Sequence, residues 1–332
     1  MTPEFFRPIP EAPEQPPVLH IVVDTEEEFD WSRPFARENV SVTAIQEVGR
    51  LQRVVMPYDM RPTYVVDYPV ASTSSSAQTL AEFAYRGECR IGAHLHPWVT
   101  PPFDEPLVPE MSFGCNLGQH IERAKIGQLR DAIVQNMGVI PTVYKAGRYG
   151  FGKTTADILE SLDFTTDTSV IPHMDFSGER GPNFEGFRPG PGRFGTSRAL
   201  LELPCTTGFA GAARAMGEPL HRWASAAWLR PARAVGVLAR TGVLNKIMLS
   251  PEGNTFDEMR ALTHALLADG VRTFSLTLHS PSLKPGCTRY VGSLAERDAF
   301  LATIDRYCDF FFTGLGGKPT TAEELFGALV AA

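Results

Sequence analysis

No stretch of this chain approaches the roughly 18 consecutive apolar residues that a membrane-spanning helix needs, so it does not read as an integral helical membrane protein. Cysteine is sparse. The five present, Cys89, Cys115, Cys205, Cys287 and Cys308, are scattered and never in a C-x-x-C spacing. That argues against a disulfide framework and against a thiolate zinc site, and reduced thiols are expected. Positive charge is in deficit, with 31 Lys and Arg against 38 Asp and Glu for a net charge of −7. Nothing offers the clustered basic surface that a nucleic-acid backbone demands. The one locally basic stretch, around Arg222, Arg230, Arg233 and Arg240 with Trp223 and Trp228, reads as a solvated helix with buried tryptophans in preference to a membrane- or partner-facing one. Residues 1–17 lack the positive flank and apolar run of a signal peptide. Rich in proline, they are expected to form a flexible arm ahead of a single domain over residues 18–332, in a cytoplasmic protein with no transmembrane segment.

What the chain does have is alternation. With 43% hydrophobic residues it can bury a large core, which excludes disorder. Short apolar, β-branched runs predict strands at Val18 to Val23, Thr63 to Asp67, Cys89 to Ala93, Thr142 to Ala146, Phe164 to Asp167, Leu201 to Pro204, Lys246 to Leu249 and Thr273 to Leu278,. Between them Ile126, Leu129, Ile133 and Met137 repeat at helical spacing, as do Phe256, Met259, Leu262 and Leu266, and Leu301, Ile304, Cys308 and Phe311,. Strand and helix in turn imply parallel strands with right-handed crossovers, and about seven or eight such units favour an α/β barrel over an open sheet. Met174 to Gly195, rich in Gly and Pro and without periodicity, reads as a long loop near the barrel mouth.

In such folds chemistry gathers at the C-terminal ends of strands, and here polar residues follow the apolar runs repeatedly. His94 and His96 are one residue apart in Gly92-Ala93-His94-Leu95-His96-Pro97. On an extended chain positions i and i+2 share a face, so two imidazoles supply half of a tetrahedral metal site. The plainer alternative is that they hydrogen-bond a buried corner. Asp24 and Glu26 are also spaced i, i+2 after an apolar strand. Two carboxylates this close repel unless a cation lies between them, so one can serve as an oxygen ligand and the other as a general base beside the metal. Their neighbours Glu27 and Glu28 read as a solvated acidic turn. The resulting His, His, carboxylate set leaves an open position, as catalytic sites do, and its mixed nitrogen and oxygen donors put zinc first among the divalent ions. His279, ending the last strand run, is placed to protonate a leaving group, with Glu252 the next candidate.

At this point the residues resemble the polysaccharide deacetylases of carbohydrate esterase family 4, the NodB-homology proteins, and most closely their WalW-like branch. The resemblance runs in motif order from Val18 to Phe312. Asp24-Thr25-Glu26 resembles the family's first motif, which implies Asp24 as base and Glu26 as metal ligand. His94-Leu95-His96 resembles its paired-histidine motif. Lys145-Ala146-Gly147-Arg148-Tyr149 is similar to the strand end that braces the base and offers a backbone N–H, near Tyr149, to the oxyanion. Asp167-Thr168-Ser169 and Leu276-Thr277-Leu278-His279 resemble the fourth and fifth motifs. The chain departs from the pattern in having Glu26 where Asp is usual, one residue between the histidines where many members have three, and Val170 near where an aromatic groove wall is common. Lys145 takes the usual Arg position with Arg148 close behind, which leaves the brace of the base open between them. The resemblance implies a distorted (β/α) barrel of the NodB-homology type and metal-dependent removal of an N-linked acetyl group from a sugar. Without a secretion signal, a cytoplasmic glycan precursor is the expected substrate. Hydrolysis of another non-peptide C–N bond, or a catalytically silent carbohydrate-binding barrel, are the alternatives, and a homo-oligomer is left open.

Overall fold

The structure, a computed structural model, describes residues 2–30, 33–229, 231 and 233–330; Arg230 of the basic stretch lies outside them. Its strands, in chain order, are β1 (Arg7–Pro8), β2 (Val18–Thr25), β3 (Thr63–Val66), β4 (Arg90–Leu95), β5 (Val143–Ala146), β6 (Thr166–Asp167), β7 (Gly192–Phe194), β8 (Leu200–Glu202), β9 (Thr207–Ala210), β10 (Asn245–Met248), β11 (Thr273–His279) and β12 (Lys318–Pro319). The sheet order β11-β2-β3-β4-β5-β6-β8 is parallel throughout. This is the expected distorted α/β barrel. β8 and β11 do not pair with each other. The gap is bridged by single contacts: Leu249 N donates to Thr206 O at 2.7 Å, Thr277 N to Leu249 O at 3.0 Å and Ser275 N to Thr206 Oγ1 at 2.8 Å.

Strands buried on both faces explain the near-continuous apolar runs. In β2 every residue after Val18 is buried, and the period of two sorts the faces. Leu19, Ile21 and Val23 join the main core between barrel and helices. Val22 turns inward, packing with Val65, Val143, Leu201 and Leu203, and with Ala322 and Leu325 of the C-terminal helix Ala322–Leu329. That helix starts from a capping box, Thr321 with Glu324, and closes the interior against water. Two residues further along the inward rows of β2, β4 and β5 come polar side chains, Asp24 after Val22, His94 after Gly92 and Lys145 after Val143. Register fixes their neighbours: Asp24 lies opposite His279, and His94 opposite Lys145.

Three expectations are corrected. The strand around Lys246 to Leu249 forms, but β10 pairs antiparallel with β9 in a separate two-stranded sheet. A short apolar run carries no record of which partner it will take. Residues 2–17 are packed, not loose: β1 adds to β7, buried Phe6 meets Phe151, Phe187 and Phe194, and Glu11 accepts from Arg272 N and Thr273 Oγ1. Proline removes donors without preventing an edge strand. Trp223 and Trp228 are not buried; they are 52% and 69% exposed and contact each other edge-on. All five cysteines are free, and no described helix is long and apolar enough to cross a membrane.

Because Leu325 closes the inward cluster, Leu325→Ala is expected to lower the unfolding free energy by about 2–4 kcal/mol, the cost of a cavity that cannot collapse. Denaturant titration checks this; a change below about 0.5 kcal/mol would mean that the helix does not seal the barrel.

Candidate metal centre and catalytic groups

The inward rows of β2, β4, β5 and β11 converge on a cavity of about 50 Å³ lined by Asp24, Glu26, His94, His96, Lys145, Ala146, Arg148, Tyr149 and His279. Asp24, Glu26, His94, His96, Lys145, Arg148, Tyr149 and His279, all singled out from the sequence, are on that wall, and Glu252 is not. Glu26 Oε2 lies 3.4 Å from His94 Nε2 and 3.3 Å from His96 Nε2. Donor atoms bound at about 2.0–2.2 Å to one tetrahedral ion stand roughly 3.3–3.5 Å apart, whereas a direct imidazolium–carboxylate hydrogen bond closes to about 2.7–2.9 Å. The spacing fits a shared cation. The opposite ring nitrogens are engaged: His94 Nδ1 donates to Lys145 O at 3.1 Å and His96 Nδ1 to Glu27 Oε2 at 2.7 Å, so as neutral imidazoles both direct an Nε2 lone pair at the same point,.

Glu27 corrects the reading of a solvated turn. It is fully buried and holds His96, and it also accepts from Trp98 Nε1 at 2.8 Å. Asp67, buried at the end of β3, accepts from Glu27 N at 2.7 Å and Val70 N at 2.8 Å. Burial first, then the Glu27 charge beside it, pushes the Asp67 carboxyl well above its usual range, while burial of Glu27 is overcome by the His96 charge and hydrogen bond, which hold that carboxyl below its own. Glu28 is half-buried and accepts from Ala44 N at 2.7 Å, from Ser41 and from Thr43. The signal that sequence reasoning lacked was Trp98, an indole donor two residues beyond His96.

Gly147 is required by the same geometry. A Cβ there would lie 2.4 Å from Leu95 O and 2.5 Å from His96 Cδ2, so any side chain would displace the ligand ring. Directly after it Arg148 and Tyr149 both take left-handed backbone, with φ of 52° and 59°, a conformation costing roughly 1–3 kcal/mol per non-glycine residue and concentrated at functional sites.

Of the two cations left open as the partner of Asp24, Lys145 makes the contact, its Nζ lying 2.7 Å from Asp24 Oδ1. Arg148 turns away, donating to Ser112 Oγ at 2.6 Å, pairing with Glu179 and covering the Phe113 ring at 4.1 Å. Burial pushes the Asp24 carboxyl up, but the Lys145 ammonium, aided by His94 and His279, overcomes it and holds the group below its ordinary value. Across the cavity His279 Nε2 is 3.7 Å from Asp24 Oδ2, while its Nδ1 bonds Glu252 Oε2 at 2.6 Å. Burial works against a charged His279, yet Glu252 and Glu26 raise it to about 10. Glu252, also bonded by His279 N at 3.0 Å and by Ser282 Oγ, is spent on orienting His279. Asp167 stays outside the cavity. Its carboxylate takes Ser169 N and Oγ, and Ser169 Oγ in turn accepts from Ala146 N at 2.7 Å, which fixes the end of β5.

No family model and no curated protein matches the chain. Solved structures do. A Mycobacterium smegmatis protein bearing the provisional name polysaccharide deacetylase superposes with a TM-score of 0.55 at 16% identity, over 98% of this chain and 94% of its own. A family 4 carbohydrate esterase from Streptomyces lividans in complex with acetate gives 0.43 at 11% identity over 92% of each chain. A family 4 pseudoenzyme from Bacillus anthracis gives 0.43 at 9%, over 98% of this chain and 70% of its own. The first likeness extends over nearly the whole of both chains, and this chain shares the fold of that protein.

If Glu27 tethers a ligand, Glu27→Ala is expected to weaken divalent-ion affinity by about 10–100-fold, and Glu28→Ala to leave it unchanged. Chelator-competition titration measures both, and equal affinity in Glu27→Ala and wild type would disprove the tether.

Proposed function

We propose that this chain is a metal-dependent hydrolase that removes an N-linked acetyl group from a sugar or glycan precursor. One observation carries the reading: a three-donor set spaced for a cation, a lysine-braced carboxylate and a carboxylate-oriented histidine share one small cavity. Glu26, His94 and His96 hold the ion, for which zinc is our assignment. When bound, it supplies Lewis acidity to the acetyl carbonyl and lowers the pKa of water.

The chain's own groups do the proton work. Asp24, kept ionised by Lys145, takes a proton from the attacking water through Oδ2, the oxygen that Lys145 leaves free. The backbone N–H at Tyr149 is assigned to the oxyanion, a contact worth about 10²–10³ in rate where it has been removed elsewhere. His279 then gives its Nε2 proton to the departing nitrogen as the C–N bond breaks, leaving acetate and a free amine.

Acetate release from N-acetylated sugars, measured with metal content, tests the whole reading. Asp24→Asn is expected to keep the metal and lose about 100-fold or more in turnover, while Glu26→Gln loses metal. If the two variants behave alike, the roles are wrong; metal without any acetate release would leave the silent binding barrel.

The pH profile tests the acid separately. A general acid must be protonated, so activity falls as pH rises through the His279 value. That value is about 10, and a bound cation brings it down from there by repulsion. Glu252→Gln removes the carboxylate that contributes most to raising it. The alkaline limb is then expected to move about 1–3 pH units lower with metal content unchanged. An unmoved limb would show that His279 is not the acid.

A further inference from the structure

β9 and β10 form a hairpin whose last pair, Ala210 opposite Asn245, is joined by residues 211–244. This excursion carries five arginines, Arg214, Arg222, Arg230, Arg233 and Arg240, against a single acid, Glu218, in a chain whose net charge is −7. Glu218 is engaged with Gly186 N and lies 3.5 Å from His173, and Arg214 pairs with Asp269. Arg222, Arg233 and Arg240 are exposed and make no ion pair among the described residues. The apolar residues beside them are exposed too: Met216 at 58%, Trp223 at 52%, Trp228 at 69% and Val237 at 50%. Among the described residues of the excursion only Gly217, Ala224 and Leu244 are buried.

A helical segment that keeps its tryptophans and valines in water instead of against the core has an apolar surface awaiting a partner. Tryptophan, with an apolar ring and one N–H donor, suits the boundary between acyl chains and headgroups, and arginine is drawn to anionic headgroups. A protein partner would require a shaped, desolvated patch. Here the two short helices, Gly217–Ala224 and Ala234–Arg240, offer scattered apolar side chains interleaved with unpaired cations, which suits a fluid, uniformly charged surface. We propose that residues 211–244 dock the protein peripherally on an anionic lipid bilayer, with Trp223 and Trp228 in the interface and Arg222, Arg233 and Arg240 at the headgroups. This carries the protein to a membrane surface through an interfacial segment and is independent of the reaction proposed for the barrel.

Co-sedimentation of the full chain with vesicles tests it, using phosphatidylcholine alone and phosphatidylcholine mixed with phosphatidylglycerol. Wild type is expected to pellet with the anionic vesicles at low salt, to be released at high salt, and to ignore neutral vesicles. Trp223→Ser with Trp228→Ser is expected to cut partitioning at least tenfold, and Arg222→Gln with Arg233→Gln and Arg240→Gln about 100-fold. Thermal unfolding should match wild type in both, and the arginine variant serves alone if the tryptophan variant does not fold. No binding to anionic vesicles, equal binding to neutral ones, or binding untouched by the substitutions would overturn the proposal. So would concentration-dependent dimerisation that the tryptophan variant abolishes while vesicle binding is absent, which would make the face a self-interface.

Discussion

Asp24, Glu26, Glu27 and Asp67 are all withdrawn from water at one rim of the barrel, and the neutralisation of that buried negative charge is the constraint on which the rest of the site depends. An isolated buried carboxylate would cost many kcal/mol or take up a proton. Each of these four meets the cost differently. The Asp67 carboxyl is pushed well above its usual range by burial and the Glu27 charge, Glu27 takes two ring N–H donors, Asp24 takes the Lys145 ammonium, and Glu26 Oε2 lies 3.4 and 3.3 Å from Nε2 of His94 and His96. Glu26 is the one of the four set among imidazoles, in a donor group whose spacing fits a cation.

The barrel makes this crowding feasible because its strands alternate. On β2 the inward row passes from Val22 to Asp24 and on to Glu26, and on β4 from Gly92 to His94 and His96. The apolar half of each row is sealed from below by Ala322 and Leu325, so charge and oil are separated by a single residue pair along the strand. The same packing restricts the backbone. Gly92 would place a Cβ 2.8 Å from Val143 O, and Gly147 one 2.4 Å from Leu95 O. These two glycines let neighbouring strands bring the histidines to within reach of Glu26.

Much of this was legible from short-range pattern. Alternation announced the barrel, and polar residues at strand ends announced its rim; His94, His96, Asp24, Glu26 and His279 could be picked out because i, i+2 spacing determines a face whatever the tertiary fold. What was illegible depended on partners far along the chain. Glu27 looks like Glu28 from its neighbours, and only the return of Trp98 and His96 across the barrel distinguishes a tether from a surface acid. The choice between Lys145 and Arg148 was equally closed to pattern, because the left-handed turn at Arg148 sends its guanidinium toward Glu179 and Phe113 instead of Asp24. The β9–β10 pairing and the exposed tryptophans share that cause: hydrophobicity states that a residue wants a partner, not which one.

The barrel uses the carboxylate–histidine pair twice, and the contrast bears on how each histidine acts. Glu27 holds His96 Nδ1 at 2.7 Å and Glu252 holds His279 Nδ1 at 2.6 Å, so the local chemistry is the same. The other face of each ring differs. His96 is 1% exposed, stacks on Trp98 at 4.3 Å and directs Nε2 at Glu26 Oε2. His279 is 27% exposed and directs Nε2 toward the cavity and toward the oxygen of Asp24 that Lys145 leaves free. Against burial, Glu27 and Glu252 each raise the pKa of the imidazole they hold, and each orients its ring. The proposed ligand and the proposed acid therefore differ less in the carboxylate behind them than in enclosure, His96 lying stacked on Trp98 and His279 partly exposed.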